Sequence, residues 1–110
     1  MEYFRNACFY MRIATWNINS VRLRIAHVLR FIKDYDIDVI CLQETKTEDK
    51  FFPIKEFINI GMIYHNFRGE KSYNGVAIFS KTPIKTKSFE LWCGYNDARH
   101  NCVTLGNNIK

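Results

Sequence analysis

The 110-residue sequence predicts an α/β fold, and three observations lead there. A helical pattern of apolar residues lies between two short β-prone runs near the N-terminus, and the second of those runs is apolar without interruption. Beyond residue 60 the chain breaks into further short β-prone runs separated by polar or proline-containing connectors. With 47% apolar and 25% charged residues the composition is that of one globular domain, which excludes a disordered tail or a collagen-like repeat.

The elements follow in order. Arg12–Trp16 is a β-prone run ending in the polar cluster Asn17–Ser20, as expected of a strand that delivers side chains at its C-terminal end. In the helix that follows, Val21, Ile25, Val28, Leu29 and Ile32 recur at i, i+4, i+7, i+8 and i+11, while Arg22, Arg24, Arg30 and Lys33 take the other faces. Ser20 is a competent N-cap, and Arg30 and Lys33 sit where the negative end of the helix dipole favours cations. Val39–Leu42 lacks the alternation of a half-exposed strand, so it is expected to be covered on both faces. A second helix is predicted over Pro53–Ile60, with Pro53 at its first position and Gly61 just past its end. Met62–Phe67 and Gly75–Ser80, joined by the polar segment Arg68–Asn74, outline an antiparallel pair. After the break at Thr82-Pro83, Ile84–Leu91 and Cys102–Leu105 are expected as further strands, with a turn at Asn107-Asn108. No repeat and no linker divides the chain.

Several function classes drop out on composition. No apolar run reaches the roughly 18–20 residues of a membrane span, and Met1–Tyr10 carries Glu2 and Arg5 around a stretch too short for a signal sequence. The expected location is cytoplasmic, with no membrane partner. Cysteines 8, 41, 93 and 102 form no CxxC pair and no metal-like spacing with His27, His65 or His100, so reduced, packed thiols are expected rather than a zinc ribbon or disulfide framework. The net charge is +5, and residues 51–110 hold eight basic against four acidic residues, a balance compatible with a polyanionic partner.

The chemistry concentrates at two strand ends. A right-handed crossover through the first helix sets the two early strands side by side and parallel, about 4.8 Å apart. Asn17 and Glu44 then emerge together at the carboxyl edge of the sheet. An amide oxygen and a carboxylate are hard donors that Mg²⁺ or Mn²⁺ accepts at about 2.0–2.1 Å, with water and substrate phosphate completing the shell. The same two residue types also cap turns, so spacing alone leaves both readings open.

Three strings narrow the choice: Ala14-Thr15-Trp16-Asn17-Ile18-Asn19-Ser20-Val21-Arg22, Asp38-Val39-Ile40-Cys41-Leu42-Gln43-Glu44-Thr45-Lys46, and Tyr73-Asn74-Gly75-Val76-Ala77-Ile78. In order and spacing they resemble the first three signature segments of the exonuclease III family of apurinic/apyrimidinic endonucleases, within the endonuclease/exonuclease/phosphatase superfamily. The match runs from about Met11 to at least Lys81. The resemblance implies a DNase I-like, four-layer α/β sandwich and metal-dependent cleavage of the DNA phosphodiester beside an abasic site, often with 3′ to 5′ exonuclease activity.

Carried onto matching positions, it implies that Glu44 holds a catalytic Mg²⁺ or Mn²⁺, with Asn17 orienting the metal network or the scissile phosphate. Asn19 and Lys46 would stand behind them, Arg22 and Arg24 would hold the DNA backbone, and Tyr73 would approach the abasic strand of the duplex. The family's later elements, a loop tyrosine, an Asp-x-Asn segment, further aspartates and a Ser-Asp-His, match nothing in Met1–Lys110. His100 matches no family motif and reads as a loop histidine. The chain is therefore expected to be an N-terminal half, with residues 1–10 an extension and 11–110 a partial domain: one mixed sheet with covering helices. The sheet's inner face is expected to lack its cover, which at about 25 cal/mol per Å² forfeits many kcal/mol over several hundred Å². Such a chain would be without full catalytic machinery, either a gene remnant that retains nucleic-acid affinity or one half of an enzyme completed by a separate polypeptide.

Overall fold

A computed structural model describes residues 10–89, 98–106 and 109–110 of the chain. Strand β1 (Ile13–Asn17) leads into helix α1 (Val21–Asp34) and then β2 (Val39–Gln43); β1 and β2 pair in parallel, with Asn17 opposite Gln43. The crossover required by the sequence pattern is present. Val21, Val28 and Ile32 turn the buried face of α1 inward, while Arg22, Leu23 and Arg24 of its first turn are exposed. Ser20 Oγ accepts a hydrogen bond from the Leu23 amide at 3.4 Å, and Lys33 lies in the last turn.

A short 3₁₀ turn (Asp49–Phe51), which the sequence pattern does not signal, precedes helix α2 (Ile54–Asn59). That helix is one residue shorter at each end than predicted: Pro53, at ψ 61°, stands outside the helical region, and Ile60 closes the last turn ahead of Gly61 at φ +91°. Strands β3 (Tyr64–Arg68) and β4 (Val76–Ser80) are antiparallel, and β4 inserts beside β2 to give the mixed order β1-β2-β4-β3.

The core lies mainly under the helices. Ile40, Leu42, Ala77 and Phe79 from the sheet pack with Val28, Ile32, Phe57 and Met62. The alternate residues of the same strands, Val39 and Ile78, face the other way and pack on Val103 and Leu105 of β6 (Cys102–Leu105), which pairs with β5 (Ile84–Ser88). Burial on both faces explains the unbroken apolar run in β2. It also amends the expectation of a bare inner face, because the β5–β6 hairpin already covers part of it. An apolar cavity of about 190 Å³ remains between the layers, lined by Ile13, Val39, Cys41, Ile78 and Leu105 among others.

Of the sequence expectations, residues 1–9, the end of the Ile84–Leu91 strand beyond Phe89, Cys8, Cys93 and the Asn107-Asn108 turn lie outside the described residues. The described cysteines, Cys41 and Cys102, are free thiols, and burial pushes the Cys41 thiol up. Among the described residues no helix is long and apolar enough to cross a membrane.

Candidate active site

Because β1 and β2 are parallel neighbours, their C-terminal ends open on one edge, with Asn17 as the last residue of β1 and Glu44 the first beyond β2. Asn17 Nδ2 donates a hydrogen bond to Glu44 Oε2, so the two predicted residues meet directly. The other oxygen of Glu44 lies 3.5 Å from Lys46 Nζ, which also donates to Asn19 Oδ1 at 2.5 Å. Asn17, Asn19, Glu44 and Lys46 thus form one chain of polar contacts at the strand ends.

The backbone there is held in unusual shapes. Asn19, Glu44, Lys46 and Asn74 all have φ between +48° and +54°. Asparagine tolerates this left-handed region, whereas glutamate and lysine incur about 1–2 kcal/mol each. Cross-loop hydrogen bonds hold them in place. The Ser20 amide donates to the Glu44 carbonyl at 2.8 Å and the Val21 amide to Thr45 at 3.0 Å, while the Thr45 and Lys46 amides donate to Gly75 and Asn74 at 3.2 and 2.9 Å. Gly75 in turn donates to the Ala98 carbonyl at 2.8 Å, which ties in the segment after residue 97. Strain held by neighbouring structure at a cluster of polar groups is a mark of functional sites.

Two glycines make this clamp possible, and the sequence reading assigned them no such role. A Cβ on Gly75, at φ +96°, would stand 2.0 Å from the buried Thr45 Oγ1, and one on Gly69 would stand 1.9 Å from the Thr47 carbonyl. The Asn74-Gly75 dipeptide ahead of β4 was the available signal.

Glu44 is half-exposed, and the hydrogen bond from Asn17, seconded by Lys46, holds its carboxyl below the usual carboxylate range against a smaller opposing effect of desolvation. It is therefore an anion at neutral pH. A folded-state value below the unfolded one adds stability above the unfolded value, and that contribution is lost as pH falls through the folded value. The stability carried by this carboxylate is accordingly expected to be complete at neutral pH and to be lost as acidification passes through the folded value. Asn17→Ala should shrink that acid-sensitive contribution, and denaturant unfolding of the two chains at neutral and acid pH reads the difference.

The donor set fits a hard divalent ion. Asn17 spends its amide nitrogen on Glu44, which leaves Oδ1 free in type to act as a ligand beside the carboxylate, and the exposure of both leaves room for water and a phosphate oxygen. Among the described residues no group of three or more His, Cys, Asp or Glu side chains is placed to hold a metal ion. His100 belongs to the loop before β6, its carbonyl accepting from Arg68 Nη1 at 3.2 Å.

Beside this group lies a polar cleft of about 140 Å³ lined by Arg22, Lys46, Thr47, Glu48, Phe51, Lys71 and Ser72. The Arg22 guanidinium stands 5.8 Å from the Phe51 ring centre. Arg24, two residues on and therefore about 200° round the helix, is exposed but does not line the cleft. Tyr73 is 69% exposed on the β3–β4 loop, between cleft-lining Ser72 and clamp-forming Asn74. The structure thus unites Asn17, Glu44, Asn19, Lys46 and Arg22, places Tyr73 on an adjoining loop, and leaves Arg24 apart.

Residues 14–110 match the model of the Endonuclease/Exonuclease/phosphatase family. The chain is 37% identical over 97 residues to an exodeoxyribonuclease of Bacillus subtilis, the match covering 86% of this chain and 38% of that protein. It is 40% identical over 76 residues to exodeoxyribonuclease III of Haemophilus influenzae, covering 68% of this chain and 28% of the relative. Among solved structures, an AP endonuclease from Archaeoglobus fulgidus superposes with TM-score 0.81 at 36% identity, over 88% of this chain and 38% of that one. A 3′ phosphatase from Neisseria bound to product DNA hairpin superposes with TM-score 0.79 at 31% identity over the same shares. The chain spans less than two fifths of the length of these relatives.

Proposed function

The chain belongs to the endonuclease/exonuclease/phosphatase family, with the DNase I-like α/β fold of its AP-endonuclease neighbours, and from that membership we propose a role in DNA phosphodiester hydrolysis. On this reading the 110 residues supply the part of an exonuclease III-type nuclease that holds the metal and grips the backbone, acting at abasic sites or 3′ ends. The observation that carries it is the direct contact between Asn17 and Glu44 at the ends of two parallel strands.

Glu44 and Asn17 Oδ1 would hold Mg²⁺ or Mn²⁺, an ion that supplies charge neutralisation and polarisation of a phosphate oxygen when bound. The chain's own residues do the rest. Asn17 keeps the Glu44 carboxyl ionised and aimed, and Lys46, anchored by Asn19, sets the local charge beside it. Arg22 faces the cleft with a guanidinium suited to a phosphate, and Tyr73 offers an exposed ring to the strand carrying the lesion. Water activation and leaving-group protonation need further groups. In the family they come from segments unmatched in Met1–Lys110, so this polypeptide by itself is expected not to turn over.

Incubation with an abasic duplex and Mg²⁺ or Mn²⁺ tests the assignment. The expected result is no strand cleavage, together with duplex binding that Mn²⁺ strengthens and Glu44→Ala renders indifferent to the ion. Duplex binding that ignores both the ion and Glu44→Ala would falsify the metal reading. Cleavage abolished by Glu44→Ala would show instead that the 110 residues suffice for catalysis. Arg22→Ala should weaken duplex binding and reduce the slope of log K against log [salt] by about 1, as loss of one phosphate contact does. Arg24→Ala, away from the cleft, should change the slope less.

A further inference from the structure

We infer that Phe51 is a stacking platform for one unpaired nucleotide of the DNA strand that leaves the Glu44 site, with the Arg22–Lys71 cleft holding that nucleotide's phosphate. The inference rests on the proposed function in taking DNA as the ligand, and it goes beyond that function by naming a subsite and a preference.

Consecutive phenylalanines in the sequence take opposite positions. Phe52 is buried and stacks on Phe67, ring centres 4.4 Å apart, whereas Phe51 is 53% exposed at the end of the 3₁₀ turn. Burial of Phe52 anchors the turn and leaves the neighbouring ring of Phe51 on the solvent side, where a stacking partner covers apolar surface that packing inside the chain does not.

Cations surround this ring. Lys50 Nζ lies 5.1 Å and the Arg22 guanidinium 5.8 Å from its centre, and Lys46 and Lys71 line the same cleft against a single carboxylate, Glu48. An aromatic face set among basic side chains is the arrangement by which proteins hold single-stranded nucleic acid: the ring stacks a base and the cations follow its phosphates. A base arriving on the ring displaces a cation from it, and the freed charge is then beside the phosphate that came with the base.

Size and position narrow the ligand further. At about 140 Å³ the cleft is well below the roughly 300–1,000 Å³ of a pocket that engulfs a cofactor-sized molecule, so it suits one nucleotide unit of a longer strand. Lys46 belongs both to the cleft and to the Glu44 cluster, so the cleft adjoins the place where a phosphate at Glu44 would sit. A base paired inside a duplex has both faces covered by its neighbours and presents only its edge to such a ring. Stacking within the strand therefore calls for an unpaired nucleotide, from a frayed end or an overhang, and a blunt duplex measures what an end pair contributes.

Fluorescence anisotropy on the full 110-residue chain tests this, with a blunt 16-mer duplex and the same duplex bearing a three-nucleotide 3′ thymidine overhang, both in EDTA. The overhang is expected to tighten binding about tenfold, the scale of one base stacked on an aromatic ring. Phe51→Ala should erase that gain. Phe51→Trp should keep it, and its added indole emission should be quenched by the overhang duplex and not by the blunt one. A gain that survives Phe51→Ala, or an indole emission in the Phe51→Trp chain that is blind to the overhang, overturns the inference. Because EDTA removes the divalent ion, failure here leaves the metal reading of Glu44 standing, and a failed Mn²⁺ titration leaves this inference standing.

Discussion

A Gly75→Val chain is expected to melt roughly 10–20 °C below the parent, through a loss of about 3–5 kcal/mol of stability. Two effects add. Gly75 has φ +96°, a conformation that side chains with a Cβ rarely adopt and that a β-branched residue tolerates least. Its Cβ would also overlap Thr45 Oγ1 at 2.0 Å, with the Lys46 amide at 3.2 Å behind it. Thr45 is fully buried and cannot swing into solvent to make room. Either the β3–β4 loop lifts, breaking the bonds from Thr45 and Lys46 to Gly75 and Asn74, or the turn carrying Glu44 moves. Circular-dichroism melting measures the loss. Adding Thr45→Ala to the same chain should return part of it, since contacting sites couple in a double-mutant cycle. Thr45→Val alone should stabilise by about 1 kcal/mol, because Thr45 Oγ1 is buried without a hydrogen-bond partner among the described residues. Melting of Gly75→Val within a few degrees of the parent would mean that the loop is not clamped in this way.

The second large effect is expected at Phe79. Its ring is fully buried and stacks on Phe57 with centres 4.0 Å apart and planes at 15°, and Phe52 and Phe67 lie 5.6 and 6.2 Å away. Truncation to alanine removes the hub of this cluster and leaves a cavity between β4 and α2, for a loss of about 3–5 kcal/mol. Denaturant unfolding should show the midpoint falling with little change in slope. Phe51→Ala, at a half-exposed ring outside the cluster, should shift stability by no more than about 0.5 kcal/mol. A Phe79→Ala midpoint close to that of Phe51→Ala would contradict the packing described.

Much of the fold was legible in advance because it is written in short-range periodicity. The α1 spacing, the unbroken apolar run of β2 and the antiparallel β3–β4 pair all follow from which side each residue must hide. The ends were less legible. Pro53 fell just outside α2, and the 3₁₀ turn carries no periodic signal in three residues. The expected bare face of the sheet was amended because the β5–β6 hairpin folds back across Val39 and Ile78, a matter of chain path that no local pattern encodes. Of the candidate site, Asn17 and Glu44 were placed correctly together, since strand order and crossover hand suffice for that. Arg22 and Arg24 could not be separated by motif alone, yet two residues on a helix point in different directions and only Arg22 reaches the cleft.

By itself the sequence determined that a carboxylate and an amide would stand at adjacent strand ends, because side-chain periodicity and the handedness of a crossover act within a few dozen residues. Only the tertiary structure decided that Glu44 and Lys46 are held in left-handed backbone by a glycine loop distant in sequence, and that Phe51 faces water while Phe52 faces the core. Those outcomes depend on which remote segments meet and how closely, and close approach is a property of the packed chain rather than of any stretch of it.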